Sequence, residues 1–430
     1  MRDVLARRIG LPGGRLARNT IHTMFWQAVR LAALVAWVIV VARALGPVGY
    51  GDLAGVTGLA VAIAGLAGFG IGLVMYEDVA VERSRFGFRW RSTLIAYSLS
   101  GILLLAVYLV TANLMFPEFG NWPLLAIGLG EVAFFPIVGA AAHAFGAHER
   151  MGVSAALPAV AAGGRLLATI VFVVSDPSPT VTDYVVYHLL SAGGAAAVSL
   201  GAVRVMLRPP KERRSLTAGD VREGLKFTGV WFTGSALTSL DKAIVLRLAG
   251  SETAGLYASA YRVAMVLVMP IDSLIIAALP RLFQRRHAPE RHPALLRSLS
   301  AAILVYGCAS ALVLCLAAEL VSRVLGPDFG SMVSAARWLS LLIPLYGLRQ
   351  LGAQLLVAEG FRSQRMLLDT IGLMVMIVSG ALLLPRWNLT GAVLMILLVE
   401  TLLLILVWAF IAVVLRRGAI QAGGPLEERP

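Results

Sequence analysis

The side chains in this chain that could do chemistry are charges set inside long apolar runs. The cations are Arg30, with Gln27 three residues before it, then Arg165, Lys242, Arg262 and Arg349; the acids are Glu131, Asp241 and Glu400. Each run is long enough to cross a bilayer, whose hydrocarbon core of roughly 30 Å needs about 20 apolar residues of helix. A charge at that depth costs roughly 2.5 to 3.5 kcal/mol on insertion scales, so it faces a partner, a bundle interior or a watery cavity. Guanidinium groups stay charged and grip anionic oxygens in pairs. A carboxylate in a partly dry site can pair with them, or exchange a proton with an ion gradient. Residues 231–280, two apolar spans carrying Asp241, Lys242 and Arg262, read as one wall of a transport pathway.

Helical spacing sorts these residues by face. Gln27 and Arg30 share one, and Arg349 shares one with Tyr346 and Ala353. Ser235, Ser239 and Lys242 form a stripe beside Gly234, Thr238 and Asp241. Asp241 and Lys242 are consecutive, which predicts that each finds its partner on another helix. Glu131, Asp241 and Glu400 are expected either to pair with the cations or to couple ions. Trp231, Tyr257 and Tyr261 could stack on sugar rings or anchor helices at the interface.

The elements that must position these groups are membrane helices. Hydrophobic residues make up 58% of the 430 and charged ones 14%. A soluble domain carries about a quarter charged residues, so the excess apolar surface here must meet lipid. About twelve spans fit a 19-residue window: 24–45, 53–76, 93–115, 122–144, 153–174 and 181–200, then 227–248, 254–279, 299–320, 335–358, 366–384 and 389–415. The expected fold is therefore an all-α polytopic integral membrane protein with two six-helix bundles. Its parts are a basic segment at 1–23, the bundles at 24–203 and 227–415, a linker at 204–226 and a tail at 416–430.

Charge placement tests that count. The net charge of +13 sits in short segments on alternate sides of the spans, among them the N-terminus, Arg83 to Arg91, RPPKERR, RLFQRRHAPERHPALLR and Arg416 with Arg417. The intervening segments, FPEFGN, SDPSPTVTD, GSETAG and GPDFGS, have none of these clusters. By the positive-inside rule the basic side is cytoplasmic, and an even count puts both termini there, in a multi-pass protein of the cell (inner) membrane. No compact basic domain, zinc-finger spacing or RNP motif is present, which excludes a nucleic-acid partner. In the linker, Pro209 and Pro210 end one helix, and Thr217 with Asp220 has the spacing of a capping box for a short amphipathic helix. Arg43, Gly46, Gly51, Ala54 and Ala60 recur in the second half as Arg247, Gly250, Gly255, Ala258 and Ala264, an internal repeat of the kind secondary transporters use. Cys308 and Cys315 lie two turns apart on one helix, too far for a disulfide.

The segments RALGPVGYGDLAGVTGLA, SLDKAIVLRLAGSETAGLYASAYRV, VLGPDFGSMVSAARWLSLLIP, LLVAEGFRSQR and LLLPRWNLTGAVLMILLVE, the last ending on Glu400, resemble the polysaccharide (Wzx-like) flippase branch of the MOP exporter superfamily. That resemblance implies a MOP/MATE-like fold that moves a polyprenyl-pyrophosphate-linked glycan from the cytoplasmic to the outer leaflet by alternating access. Membrane lipid is then the surroundings, and a glycan polymerase of the same pathway is a partner the resemblance allows. Under it, Arg30, Gln27, Arg165, Lys242, Arg262 and Arg349 are expected to line a cationic cavity for the pyrophosphate head. MATE-type ion-coupled exporters share the twelve-helix plan. Lipid II flippases usually carry two further C-terminal helices, where RRGAIQAGGPLEERP follows the last span here. No Walker A sequence, Gly-x-Ser-x-Gly elbow or HExxH helix occurs, so no catalytic residue, metal or cofactor is expected and the chain does not read as an enzyme.

Overall fold

The structure is a computed structural model, and it describes residues 15–422 apart from 177, 211, 213–215 and 284–291. Residues 1–14 and 423–430 of the expected terminal segments, and the middle of the basic loop before residue 292, lie outside the described residues. Every described element is a helix or a helical turn. That follows from the apolar composition, since in hydrocarbon each backbone N–H and C=O must be satisfied within the protein. Nine described stretches are long and apolar enough to cross a membrane. Three of them, of 61, 53 and 52 residues, contain a non-helical residue at Gly46, Gly250 and Asn388, and the first turns again at Gly68 and Phe69 before Ile71. Divided at Gly46, Gly250 and Asn388, nine stretches become twelve spans, the expected number, and the protein is an integral membrane protein.

The chain forms two compact units that meet in sequence between Gly255 and Leu256. The first contains α1 (Arg15–Ala64), α2 (Ile71–Val81), α3 (Phe86–Met115), α4 (Asn121–Gly128), a π-helical turn (Leu129–Phe134), α5 (Phe135–Ala147), α6 (Met151–Ser175) and α7 (Val181–Ala202). The beginning of α8 (Ala218–Phe283), as far as Gly255, belongs to it as well. The second unit holds the rest of α8, α9 (His292–Leu325), α10 (Met332–Leu339), α11 (Leu342–Ala358) and α12 (Arg362–Ala422).

In the first unit α1 packs along α6, and a core of Met75, Phe86, Trp90, Val138, Phe145 and Leu157 ties α2 and α3 to α5 and α6. The part of α1 after Gly46 meets the start of α8 through small residues. A Cβ at Gly51 would overlap the Ser251 carbonyl, one at Gly58 the Ser239 carbonyl, and one at Gly255 the Pro47 carbonyl. Such close approach is how membrane helices gain contact where burial from water offers nothing. Ser235 adds a hydrogen bond by donating to the Val61 carbonyl at 3.0 Å.

The Thr217 and Asp220 capping box forms as expected. Asp220 N–H donates to the Thr217 hydroxyl at 3.3 Å, and Thr217 N–H donates to the Asp220 carboxylate at 3.0 Å. The capped turn opens α8 itself, which runs on without a break to Gly250. Arg89 of α3 bonds both Asp220 and Asp78 of α2, and Arg91 donates to the Glu212 carbonyl, so the segment between α7 and α8 is fastened to the first unit. Burial raises the Asp220 pKa, but hydrogen bonds from the Thr217 hydroxyl and N–H and the Arg89 guanidinium outweigh it and hold the carboxyl below its ordinary value.

The internal repeat is visible in the backbone. Gly46 and Gly250 break their helices with matching angles, φ 66° and ψ −179° against φ 83° and ψ 172°, a region open to glycine alone. The third span of each half ends in a single 3-10 turn, Pro117–Phe119 and Pro327–Phe329. The fourth ends in matching paired bonds: Glu149 to Gly146 and Arg150 to Phe145 in one half, Gly360 to Val357 and Phe361 to Leu356 in the other.

Candidate functional site

The first unit gathers its membrane charges around Arg165. Between Leu129 and Phe134 the fourth span widens into a π-helical turn, in which the Phe135 N–H reaches back five residues to the Gly130 carbonyl. Pro136, with no N–H to give and a ring that crowds the preceding turn, lies at its end. Widened turns of this kind are frequent at functional sites. This one turns Glu131 inward, 6% exposed, where Oε1 accepts from Arg165 Nη2 at 2.7 Å. The Arg165 guanidinium carbon lies 4.2 Å from the Phe135 ring centroid and 5.2 Å from that of Trp37, so two aromatic faces hold the cation. Trp37 is fixed in turn by donating Nε1–H to the Tyr184 hydroxyl at 2.9 Å, which stands 3.3 Å from the Thr169 hydroxyl.

Arg165 is not sealed in, because 15% of its side chain remains exposed. Seven residues before Trp37, and so on the same face of α1 two turns away, is Arg30. Arg30 and Gln27 are both exposed. The sequence thus brings an open arginine with its amide neighbour onto the helix face that leads to the held arginine, roughly 10 Å along the axis.

Lys242 and Asp241 correct the sequence expectation. Consecutive though they are, the two side chains meet: Lys242 Nζ donates to Asp241 Oδ1 at 2.8 Å and Oδ2 at 3.0 Å, and to the Thr238 carbonyl at 2.8 Å. The cause is the length of the lysine stem, which curls back one turn along its own helix where a shorter side chain could not. Gly58 of α1 faces the Lys242 Cβ, leaving room for the stem. Asp241 is fully buried and Lys242 nearly so.

In the second unit Arg349 of α11 and Glu400 of α12 are both buried, with Arg349 Nε donating to Glu400 Oε2 at 2.5 Å. The Tyr346 ring covers the guanidinium at 4.8 Å. Nearby on α12, Arg365 pairs with Asp369 at 3.6 Å. Arg262 is half-buried on α8. Tyr257 and Tyr261 are buried against each other with ring centroids 5.8 Å apart, which removes them as sugar-stacking surfaces, whereas Trp231 is exposed.

Sequence reasoning found both members of the Glu131–Arg165 and Arg349–Glu400 pairs without pairing them. It missed His188, buried in α7 with Nε2 3.5 Å from Glu131, and Asp369. His188 is a lone ionisable residue within an apolar run, and Asp369 stands four residues after Arg365, the spacing of a helical ion pair; those were the available signals.

A family model described as polysaccharide biosynthesis protein matches residues 16–286. The chain belongs to that family. Among solved structures, an inward-facing multidrug resistance MATE family transporter of the MOP superfamily superposes with a TM-score of 0.71 at 13% identity, over 93% of this chain and 99% of that one. The lipid II flippase MurJ in an inward closed conformation gives 0.70 at 12% identity, over 92% and 87%. A MOP superfamily transporter from Pyrococcus furiosus gives 0.55 at 16%, over 92% and 93%. No curated protein matches by sequence. At these identities the likeness is one of fold, and the fold is that of the MOP superfamily. The chain thus joins membership of the polysaccharide biosynthesis family to the fold that these membrane transporters share.

Proposed function

We propose that the protein flips a polyprenyl-pyrophosphate-linked oligosaccharide across the cell (inner) membrane by alternating access, with both termini cytoplasmic. The observation that carries the reading is the pair of accessible cations in the first unit, Arg30 open beside Gln27 and Arg165 held between Trp37 and Phe135 with part of its side chain exposed. A flippase must shelter an anionic head from hydrocarbon, and guanidinium groups suit a pyrophosphate because they offer fixed forks of donors. Membership of a polysaccharide biosynthesis family supports the same class of cargo. Arg349, enclosed with Glu400, is assigned to holding α11 to α12, and Lys242 to neutralising Asp241 within α8.

The test is complementation in cells that need this protein for surface polysaccharide. R30A and R165A are expected to lower polymer output at least tenfold while the protein accumulates normally in the membrane. Full output from both would overturn the reading. Raised drug tolerance on overexpression, with polymer unchanged, would favour a small-molecule exporter.

A further inference from the structure

The enclosed end of the Arg165 site contains a group that binding alone leaves idle. His188 is 2% exposed, and among the described residues neither ring nitrogen has a hydrogen-bond partner. Its Nε2 stands 3.5 Å from Glu131 Oε1, the same oxygen that accepts from Arg165 at 2.7 Å. The ring is held in place by Phe135 and Tyr184, at centroid separations of 5.9 and 6.2 Å, and by the backbone at Gly130, where a Cβ would crowd Nε2. The charged and titratable groups facing it are Glu131 from the π turn, Arg165 from α6 and Tyr184 from its own helix. Beyond Glu131 lies Tyr108 of α3, packed on Gly128. From the neighbouring α5 comes Phe135, packed on the ring, and from α1 Trp37, bonded to Tyr184; neither titrates.

One carboxylate oxygen therefore stands between a cation that holds it and an imidazole that is placed to do so. A buried site favours electroneutrality, because an unpaired charge there is costly. With Arg165 on Glu131, electroneutrality of the site requires a neutral His188. If an anionic ligand draws Arg165 outward, Glu131 is left alone, and a proton on His188 restores the balance.

We propose that Glu131 and His188 form a counterion switch for Arg165, through which the site takes up an anionic pyrophosphate head and one proton together. The inference rests on the cationic-site reading above and adds its regulation. A proton passes from hydronium in the solvent, which is left as water, to His188 Nε2, which then donates to Glu131 Oε1 in place of Arg165. No other bond changes. Linkage makes the effect reciprocal: the anion raises proton affinity, and acid raises anion affinity.

Farnesyl pyrophosphate binding to the full chain in detergent micelles tests this by calorimetry, in two buffers of different ionisation heat and at several pH values. Subtracting H188Q from wild type removes the ligand's own titration. Wild type is expected to take up as much as one more proton per ligand than H188Q, and to lose affinity more steeply with rising pH, by up to about tenfold per unit. E131Q, which releases Arg165 without needing a proton, is expected to bind about tenfold more tightly and to show the shallow pH slope of H188Q. Equal proton uptake by wild type and folded H188Q overturns the switch and leaves the binding site standing. Should H188Q fail to fold, E131Q decides: weaker binding than wild type means a structural ion pair. Wild type that binds no farnesyl pyrophosphate, or whose binding is untouched by R165A, overturns the site and the switch together.

Discussion

At the scale of single residues, the membrane charges divide by what reaches them. Arg349 and Glu400 are enclosed together in the second unit and pair there. Removing one member of such a pair leaves an uncompensated buried charge and costs about 3 to 5 kcal/mol, whereas apolar replacement of both is often neutral. R349A is accordingly expected to lower the thermal midpoint of the detergent-purified protein steeply, and R349M combined with E400L to recover most of the loss. If instead R349A is as stable as wild type while polymer output is lost, Arg349 serves the cargo and not the fold. The positions of these charges were legible from residue type, because any ionisable group in an apolar run draws attention. Their pairings were not, since Glu131 with Arg165 and Arg349 with Glu400 are joined by tertiary packing that no helical periodicity encodes. Lys242 and Asp241 show the converse limit: the spacing rule treats side chains as radial spokes, and a four-carbon stem need not obey it.

At the scale of elements, glycine, proline and caps determine how helices begin, break and cross. The motif Thr217 with Asp220 was readable because a cap is local, a matter of two side chains and their own backbone. What Asp220 does beyond it, bonding Arg89 of α3, was not readable. That second role has a pH signature. The folded-state pKa of Asp220 lies below its ordinary value, so its contribution to stability is complete above the ordinary carboxylate range and disappears only as pH falls through the lowered folded value. D220N is therefore expected to reduce the thermal midpoint by similar amounts at pH 7 and pH 5, with the gap to wild type closing only in stronger acid. A gap that had already closed at pH 6 would show that the carboxylate is not held by Thr217 and Arg89. The breaks at Gly46 and Gly250 were visible as a repeated pair of glycines, while the one at Asn388, which takes a positive φ of 42°, has no counterpart in that repeat and was visible only as the gap between the spans 366–384 and 389–415.

At the scale of the molecule, the count of spans fixes the topology, and the two ways of counting disagree in a measurable respect. Nine uninterrupted crossings would leave the termini on opposite sides; twelve, obtained by breaking the three longest stretches at Gly46, Gly250 and Asn388, leave them on the same side. Physical length favours twelve, because a straight helix of 52 residues is roughly 78 Å long against a hydrocarbon core of about 30 Å. The charge pattern favours it independently: Arg83 and Arg85, Glu149 with Arg150, Arg208 and Arg362 fall at the ends that twelve spans put on one side, and Glu118, Asp176, Glu252 and Asp328 at the other. Alkaline phosphatase, active only outside the cytoplasm, distinguishes the counts when fused after successive residues. Fusions at Glu118, Asp176, Glu252 and Asp328 are expected to be active, and those at Ser84, Glu149, Arg208 and Gly360 inactive. The decisive fusion is at Glu252, since a stretch that crossed only once between Phe227 and Leu279 would place no external turn there. An inactive enzyme at that site, with active fusions at Asp176 and inactive ones at Arg208, would remove the break at Gly250 from the membrane topology and with it the repeat that relates the two halves.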